Sequence, residues 1–464
     1  MSIDENGAQP ARDYDIAVIG GGPGGHAAAV RATKLGARVA LMEKDSLGGT
    51  CLNRGCIPTK YLARHAALLM EVNAARDMGE YGGDLKANFG NIVANMNRVM
   101  QQLRASAEQA LRANNVSILH GAARLISPNS IAIEGRTITA NNIIIASGSV
   151  PLIAPIPGVN CRGVLNTDQM LQMQQLPESI IVIGGNYVGL EFACIMNAFG
   201  VKVTVLEKQP SILKPSVEDD ISRRFMRCAV KRGMEIVVDA DIQEIREADQ
   251  LTEVLYAVRG VQKKCISRIV LMATGRLPCT DGLGLEAVGI KVDNRAITVN
   301  KHLRTSAGNV YAIGDVTGKN MLAHVASYEG EIAADNALGL TREADYRVIP
   351  SDVFVTPEIA SVGITEAEAI EKKINYRVNK LPMTACSRAV VATETSGIVK
   401  MICSADDGAL LGLHIMGPHA SDLIAEGALA IKYRMTASDI AGVIHAHPSF
   451  SEILRDTAVG LAAH

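Results

Sequence analysis

Cys51 and Cys56 stand close together in Gly48-Gly49-Thr50-Cys51-Leu52-Asn53-Arg54-Gly55-Cys56-Ile57-Pro58-Thr59-Lys60, while the other seven of the nine cysteines are scattered. Two thiols so placed could exchange electrons with a dithiol. On a regular helix they would lie about 7.5 Å apart along the axis and be turned by roughly 140° from one another. A disulfide needs Cα atoms about 4.4–6.8 Å apart. A bonded pair therefore requires a loop or a distorted first turn. Gly49 and Gly55 permit either, and Pro58 suits the first turn of a following helix. A strained small-ring disulfide at a helix start is readily reduced, and the helix dipole favours the thiolate. A zinc half-site and two buried thiols are the alternatives, but no second Cys/His pair of ligand spacing lies nearby to complete a zinc site.

A second cluster sits near the other end, in His445-Ala446-His447-Pro448-Ser449-Phe450-Ser451-Glu452. Ser449 and Glu452 have the spacing of a capping box opening a helix. The functional alternative is a histidine held by a carboxylate as acid and base for a thiol. Two histidines in three residues could bind metal, yet no third ligand is evident, so no metal site is expected.

The elements that must carry these groups are duplicated. Asp15-Ile16-Ala17-Val18-Ile19 leads into Gly20-Gly21-Gly22-Pro23-Gly24-Gly25, then a helix to Gly36, then a strand ending at Glu43. Ile180-Ile181-Val182-Ile183 leads into Gly184-Gly185-Asn186-Tyr187-Val188-Gly189, then a helix to Gly200, then a strand ending at Glu207. Gly20, Gly25, Gly36 and Glu43 map onto Gly184, Gly189, Gly200 and Glu207 in one register. One such fingerprint is weak, but two in register point to two dinucleotide sites. The glycines let the backbone approach a pyrophosphate, the helix N-terminus faces that anion, and the final carboxylate accepts from a ribose diol. Glu207 favours NAD over NADP by repelling a 2′-phosphate, while Lys208 and Lys214 nearby soften that preference. Asn186 replaces the middle glycine of the second copy. Asn tolerates left-handed backbone, but its side chain crowds the pyrophosphate approach.

The remaining pattern is that of an α/β protein. Helical periodicity spans residues 91–114, hairpins turn at 127–129 and 134–135, and Ile143-Ile144-Ile145 reads as a buried strand. Pro151, Pro155, Pro157 and Gly158 mark a linker, and Gly275-Arg276-Leu277-Pro278 a second boundary. Val310 to Asp315 reads as a strand ending in an acid, and beyond about residue 345 strands alternate with helices such as 419–434. A length of 464 residues suggests about three domains. Net charge −2 and 3% aromatic residues point away from nucleic acid, and no apolar run reaches the length of a membrane span. Scattered cysteines and a polar, acidic start imply a reducing, cytoplasmic setting behind a disordered leader, residues 1–12.

These residues together resemble the pyridine nucleotide–disulfide oxidoreductases over roughly residues 13–464. The carriers are the 48–60 segment, Ala-Ser-Gly-Ser at 146–149, Gly-Leu-Glu at 189–191, Ala-Thr-Gly-Arg at 273–276, Tyr-Ala-Ile-Gly-Asp-Val at 311–316, Met-Leu-Ala-His at 321–324 and the His-Ala-His-Pro tail. The resemblance implies two Rossmann-like dinucleotide-binding domains plus an α+β C-terminal dimerisation domain. It divides the chain into 13–150 (FAD), 151–275 (NAD), 276–345 (the second part of the FAD domain) and 346–464 (the interface). FAD would be held by Gly20, Gly22, Gly25, Glu43, Thr50, Lys60, Gly148, Asp315 and Ala323. NAD would be held by Gly184, Gly189, Glu191, Glu207 and Gly275. Lys60 would pair with Glu191 near the flavin. Cys56 would be the flavin-side, charge-transfer thiolate and Cys51 the sulfur that exchanges with substrate. His447, polarised by Glu452, would come from the partner subunit of an obligate homodimer.

The implied activity is oxidation of dihydrolipoyl groups, carried by a protein of a multienzyme complex, with NAD as acceptor. Other FAD-dependent disulfide reductases, mercuric or glutathione reductase-like, are the alternatives within the family. The first would want an extra C-terminal cysteine pair, and the second basic residues at Glu207. A non-catalytic flavoprotein subunit is the alternative outside enzymes, but it would have no use for both cysteines, His447 and Glu452. Two further positions depart from the family pattern: Cys386 stands where Asn is usual and Ser361 where an aromatic is usual.

Overall fold

Apolar runs separated by glycine turns form two parallel sheets, one for each copy of the repeat. The computed structural model describes residues 12–83, 86–215 and 217–462, in two compact units. The expected leader, save Arg12, lies outside the described residues.

The first unit comprises the segments up to Pro58, Ala94–Leu152 and Gly275–Ala344. Its parallel strands run in the order Ser117–His120, Val39–Glu43, Tyr14–Ile19, Arg136–Ile145 and Val310–Ala312. Val18 lies opposite Leu41 on one side and Ile144 on the other. These strands are continuous apolar runs because both faces of the sheet are covered, and Ile16, Val18, Leu41, Ile143 and Ile144 are wholly buried. Arg136–Ile145 also pairs antiparallel with Ser130–Ile133, which turns back to Arg124–Ser127, giving both expected hairpins. The fingerprint helix Pro23–Lys34 packs closely on the helix Ala323–Ala337. A Cβ at Gly330 would lie 2.3 Å from the Gly24 carbonyl oxygen, so only glycine allows that approach. The strand from Val310 is shorter than its apolar run suggests. It stops at Ala312, and Gly314, at φ +67°, turns the chain so that Asp315 sits in the 3₁₀ turn Gly314–Thr317.

The second unit comprises Thr59–Val93, Ile153–Thr274 and Asp345 onward. Its parallel strands run in the order Glu235–Val237, Lys202–Leu206, Ser179–Ile183, Ile269–Met272 and Val164–Asn166. The helix Tyr187–Ala198 is the exact counterpart, 164 residues on, of Pro23–Lys34. Gly20 and Gly184 share a left-handed φ, +108° and +115°. A Cβ at either would strike the carbonyl oxygen of Ala146 or Ala273, at 2.2 and 2.3 Å. The unit ends in a five-stranded antiparallel sheet, Ser351–Val353, Ile359–Gly363, Leu410–Met416, Ile398–Ser404 and Tyr376–Pro382, with the helices Ala420–Lys432, Ala437–Gly442 and Glu452–Ala462.

A buried ion network ties that sheet to the helix Asp219–Lys231. Lys400, almost fully buried, donates through Nζ to Glu218 at 2.7 Å and Glu366 at 2.6 Å, with Asp220 at 3.5 Å. The second Glu218 oxygen accepts from the Glu366 N–H at 2.6 Å. Lys400→Met leaves the buried Glu218 without its lysine and Glu366 with only Lys380, at 3.6 Å, and is expected to cost about 3–5 kcal/mol, read as a fall in melting temperature at pH 7. Lys400 holds the Glu366 carboxyl below its usual range, and Lys380 does the same for Asp220. Such groups stabilise above the unfolded carboxyl values, around pH 4, and the effect fades as pH falls through the lower folded values. The gap between the two proteins should therefore narrow below about pH 4.

Candidate active site

In the first unit the turn after Tyr14–Ile19 meets the end of Val39–Glu43. The Gly21 N–H donates to Glu43 Oε2 at 2.7 Å and the Asp45 N–H to Oε1 at 2.9 Å, so the buried carboxylate is fixed by backbone. Gly22 precedes the helix Pro23–Lys34 in an extended conformation, without a side-chain cap and with no acid in the first turn. A Cβ at Gly22 would meet only the Gly49 Cα, at 3.9 Å. An uncapped helix start behind open space, beside a buried carboxylate, fits the pyrophosphate and ribose of a dinucleotide.

Asp315 is joined to two residues that the sequence reading did not assign. Ser149 Oγ donates to Asp315 Oδ2 at 2.5 Å, and Arg276 donates to Ser149 Oγ at 2.7 Å and to the Ser149 carbonyl at 2.8 Å. The same guanidinium reaches Thr50 Oγ1 at 3.4 Å. Both residues end motifs that carry the family resemblance, Ala-Ser-Gly-Ser and Ala-Thr-Gly-Arg, but nothing local shows that those ends meet. Gly148, at φ +74°, sits beside Ser149, and Ala323 opens the helix Ala323–Ala337. Gly275, expected with NAD, begins a segment of the first unit, where its carbonyl accepts from the Leu152 N–H at 2.9 Å.

The cysteine segment is neither a plain loop nor one helix. Gly48 and Gly49 have positive φ and start the short helix Gly49–Arg54, which contains Cys51. Gly55, at φ −144° and ψ −108°, breaks it, and Cys56 opens the helix Cys56–Asp77 with Pro58 in its first turn. Asn53 pins the short helix by donating to the Leu47 and Gly49 carbonyls at 3.0 and 2.9 Å, and Arg104 donates to Asn53 Oδ1 at 3.1 Å.

In the second unit Lys60 and Glu191 meet. Lys60 Nζ lies 2.9 Å from each Glu191 oxygen and 4.6 Å from the centre of the Phe354 ring. The Phe354 N–H donates to Glu191 Oε1 at 3.0 Å, so this buried carboxylate is fully engaged. The nearby Asp352 carboxyl is pushed up to about 6 by burial and by Glu358, against the opposing pull of Lys60.

The second fingerprint repeats the carboxylate geometry. The Gly185 N–H donates to Glu207 Oε2 at 2.5 Å and the Gln209 N–H to Oε1 at 2.7 Å. Lys208 lies 3.9 Å from Asp241, and Lys214 pairs with Asp219, so both nearby cations have carboxylates of their own. Gly189 is required by contact, since its Cβ would lie 1.9 Å from the Gly184 carbonyl oxygen. Asn186 corrects the expected left-handed turn: its φ is −100°, extended like Gly22, so the position makes no demand for positive φ. Its Oδ1 accepts from the Tyr187 N–H at 2.9 Å, occupying one amide at the helix start.

At the far end of the chain Glu452 makes a bond that each of its two readings asks for, although Ser449 Oγ turns to Ser451 Oγ at 2.9 Å instead of completing the capping box. Oε2 accepts from the Ser449 N–H and Oε1 from His447 Nδ1, each at 2.8 Å. These two bonds hold the Glu452 carboxyl below its usual range. His447 is 71% exposed, which leaves its ring open to a reactant. His445 turns instead to Glu426, at 3.1 Å. The two histidines thus have separate carboxylates, and no metal-holding cluster occurs among the described residues.

Residues 14–330 match the pyridine nucleotide-disulphide oxidoreductase model, and residues 349–458 match its dimerisation domain. The chain belongs to the pyridine nucleotide-disulphide oxidoreductase family. Similar relatives in this family include the dihydrolipoyl dehydrogenase of Geobacillus stearothermophilus, 38% identical over 97% of this chain and 96% of that protein. That of Bacillus subtilis is 39% identical over 96% of each. Among solved structures, LpdA from Mycobacterium tuberculosis superposes with a TM-score of 0.89 at 28% identity, over 97% of this chain and 99% of that one. The HOCl-induced flavoprotein disulfide reductase RclA from Escherichia coli gives 0.86 at 30% identity, over 96% and 99%. The family fold is the expected one, with two dinucleotide-binding α/β portions and a C-terminal dimerisation domain.

Proposed function

We propose that this chain oxidises protein-bound dihydrolipoyl groups to the disulfide and reduces NAD to NADH. The observation that carries this reading is near-full-length similarity, at 38–39% identity, to proteins named dihydrolipoyl dehydrogenase. FAD and NAD are its cofactors, and together they supply two-electron transfer. The residues fit both groups. Gly20, Gly22, Gly25, Glu43 and Asp315 would hold FAD, and Gly184, Gly189 and Glu207 would hold NAD. Glu207 itself disfavours a 2′-phosphate, and of the two nearby cations Lys214 pairs with Asp219 and Lys208 lies 3.9 Å from Asp241.

The chain's own groups divide the dithiol work. His447 Nε2, its ring oriented by Glu452, accepts a proton from a substrate thiol. The resulting thiolate attacks Cys51 Sγ of an oxidised Cys51–Cys56 pair, and Cys56 leaves as thiolate. The second substrate thiol then gives up its proton as its sulfur attacks the first, forming the substrate disulfide, and the leaving Cys51 sulfur takes up a proton, both transfers passing through His447. Two electrons have passed from substrate to the pair. Cys56, opening a long helix, is placed where negative charge is favoured. The Lys60–Glu191 pair would set the charge near the flavin.

The same proposal assigns 13–150 and 276–345 to the FAD part, 151–275 to the NAD part and 346–464 to the interface; the family matches at 14–330 and 349–458 support it. A homodimer is supported by the dimerisation domain and by Tyr433 and Ile444, 71% and 96% exposed, the latter beside the His445–His447 segment. The natural partner would be the lipoyl-bearing protein of a multienzyme complex. A cytoplasmic site is the expected setting, and no helix among the described residues is long and apolar enough to cross a membrane.

A steady-state assay of dihydrolipoamide with NAD tests the reading, with NADP, glutathione and mercuric ion as controls. NAD-dependent turnover of dihydrolipoamide alone is expected. Preference for glutathione or mercuric ion would overturn the substrate assignment. Asn186→Gly frees the Tyr187 N–H and clears the pyrophosphate approach. Calorimetric titration should show NAD bound tighter by about 1 kcal/mol, roughly fivefold. Weaker binding would mean that the Asn186 side chain itself holds the nucleotide.

A further inference from the structure

The loop that carries His447 is held from several sides. Phe450 lies between the Arg388 guanidinium, 5.8 Å from its ring centre, and the His419 ring at 5.0 Å. His445 is held by Glu426 at 3.1 Å. Between them the backbone of Ser449 is held on both sides of its Cα. Its N–H donates to Glu452 Oε2 at 2.8 Å, the carboxylate whose other oxygen holds His447. Its carbonyl faces Cys386 Sγ at 3.6 Å.

Cys386 reaches this point from a different part of the unit, at the start of the helix Ser387–Val391. It is 3% exposed and packs in the cluster that includes Met383, Ala389, Ile453 and Leu454. A thiol is a weak donor with a long reach, and the sulfur–oxygen distance suits such a bond. Burial keeps water from taking its place at the carbonyl.

We propose that Cys386 is a positioning residue for the His447–Glu452 pair: its thiol donates to the Ser449 carbonyl and so steadies the backbone of the residue whose N–H orients Glu452. This rests on the reading of His447 as the proton acceptor. Cys386 is buried and meets no substrate. Its loss should therefore slow the dithiol step without changing how tightly a dithiol binds. A cysteine that merely filled space would affect stability, or both half-reactions alike.

Anaerobic reduction of the holoenzyme is followed separately with dithiothreitol and with NADH, in the unsubstituted protein, Cys386→Ala and Cys386→Ser. Cys386→Ala should slow reduction by dithiothreitol about two- to fivefold, the rate equivalent of one weak hydrogen bond. The half-saturating dithiothreitol concentration and the NADH rate should stay unchanged. Cys386→Ser keeps a donor and should return to within about twofold of the original. Cys386→Val, which fills the space without a donor, replaces the alanine variant in the comparison should that protein not fold. An unchanged dithiothreitol rate, equal slowing of both half-reactions, or a serine variant as slow as the alanine one would overturn the inference. Dithiothreitol reports on Cys386 whichever dithiol is natural, whereas dihydrolipoamide turnover by the unsubstituted protein tests the substrate assignment by itself. An unsubstituted protein that neither dithiothreitol nor dihydrolipoamide reduces would overturn both.

Discussion

Cys51→Ser and Cys56→Ser should each lower dihydrolipoamide turnover by roughly 10⁴-fold or more, because the two sulfurs act as one unit. The two variants should nevertheless differ in colour. Cys56 opens a 22-residue helix, while Cys51 lies inside a six-residue helix that Gly55 cuts off from it. The long helix offers its N-terminus to a negative sulfur, so Cys56 is the residue expected to persist as thiolate. A thiolate beside bound FAD adds absorbance at long wavelength. Reduced Cys51→Ser should keep that band, and Cys56→Ser should lose it. Identical spectra would reverse or remove the division of roles. Retention of turnover by either variant would sink the dithiol chemistry altogether. A colourless, folded preparation unable to take up FAD would do the same for the flavoenzyme reading.

The parts of the site legible in the sequence are those whose signal is local. Gly20 and Glu43 lie on one strand–turn–helix–strand unit, as do Gly184 and Glu207, and the period of that unit fixes where turn and carboxylate meet. The bond from Gly21 to Glu43 spans only that unit, and so does the one from Gly185 to Glu207. Glu452 was legible for the same reason, since both of its partners lie within five residues. What escaped depends on segments far apart in the chain. Ser149 comes to Asp315 from another segment of the first unit and Arg276 from 39 positions earlier in the same one, and no periodicity links them. Lys400 finds Glu218 across 182 positions, and a lone lysine in an apolar strand carries no sign of its partner. Lys208 and Lys214 looked like free charges beside Glu207 because sequence shows proximity but not pairing. The backbone of Asn186 escaped for a different reason. Asn186 and its counterpart Gly22 are both extended, so neither position demands positive φ, and sequence alone does not show that.

His447→Ala should slow the dithiol half-reaction by roughly 10²–10⁴-fold, the usual worth of a positioned acid and base. The helix start should survive, because Glu452 keeps its second bond, to the Ser449 N–H. Reduction of the holoenzyme by NADH should change far less, since that step requires no proton acceptor at a thiol. Equal loss in both half-reactions would remove His447 from the dithiol step. If the site is shared, His447 serves Cys51 of the partner subunit, and two inactive proteins can restore each other. In a heterodimer of Cys51→Ser and His447→Ala chains, one site carries both lesions and the other carries neither. Equal mixing with free exchange should therefore recover about a quarter of the original activity, because half of the dimers are mixed and each has one intact site. Exchange can be followed independently by mass-labelling one of the two chains. If mixed dimers form and no activity returns, then His447 acts on its own chain or is not the proton acceptor.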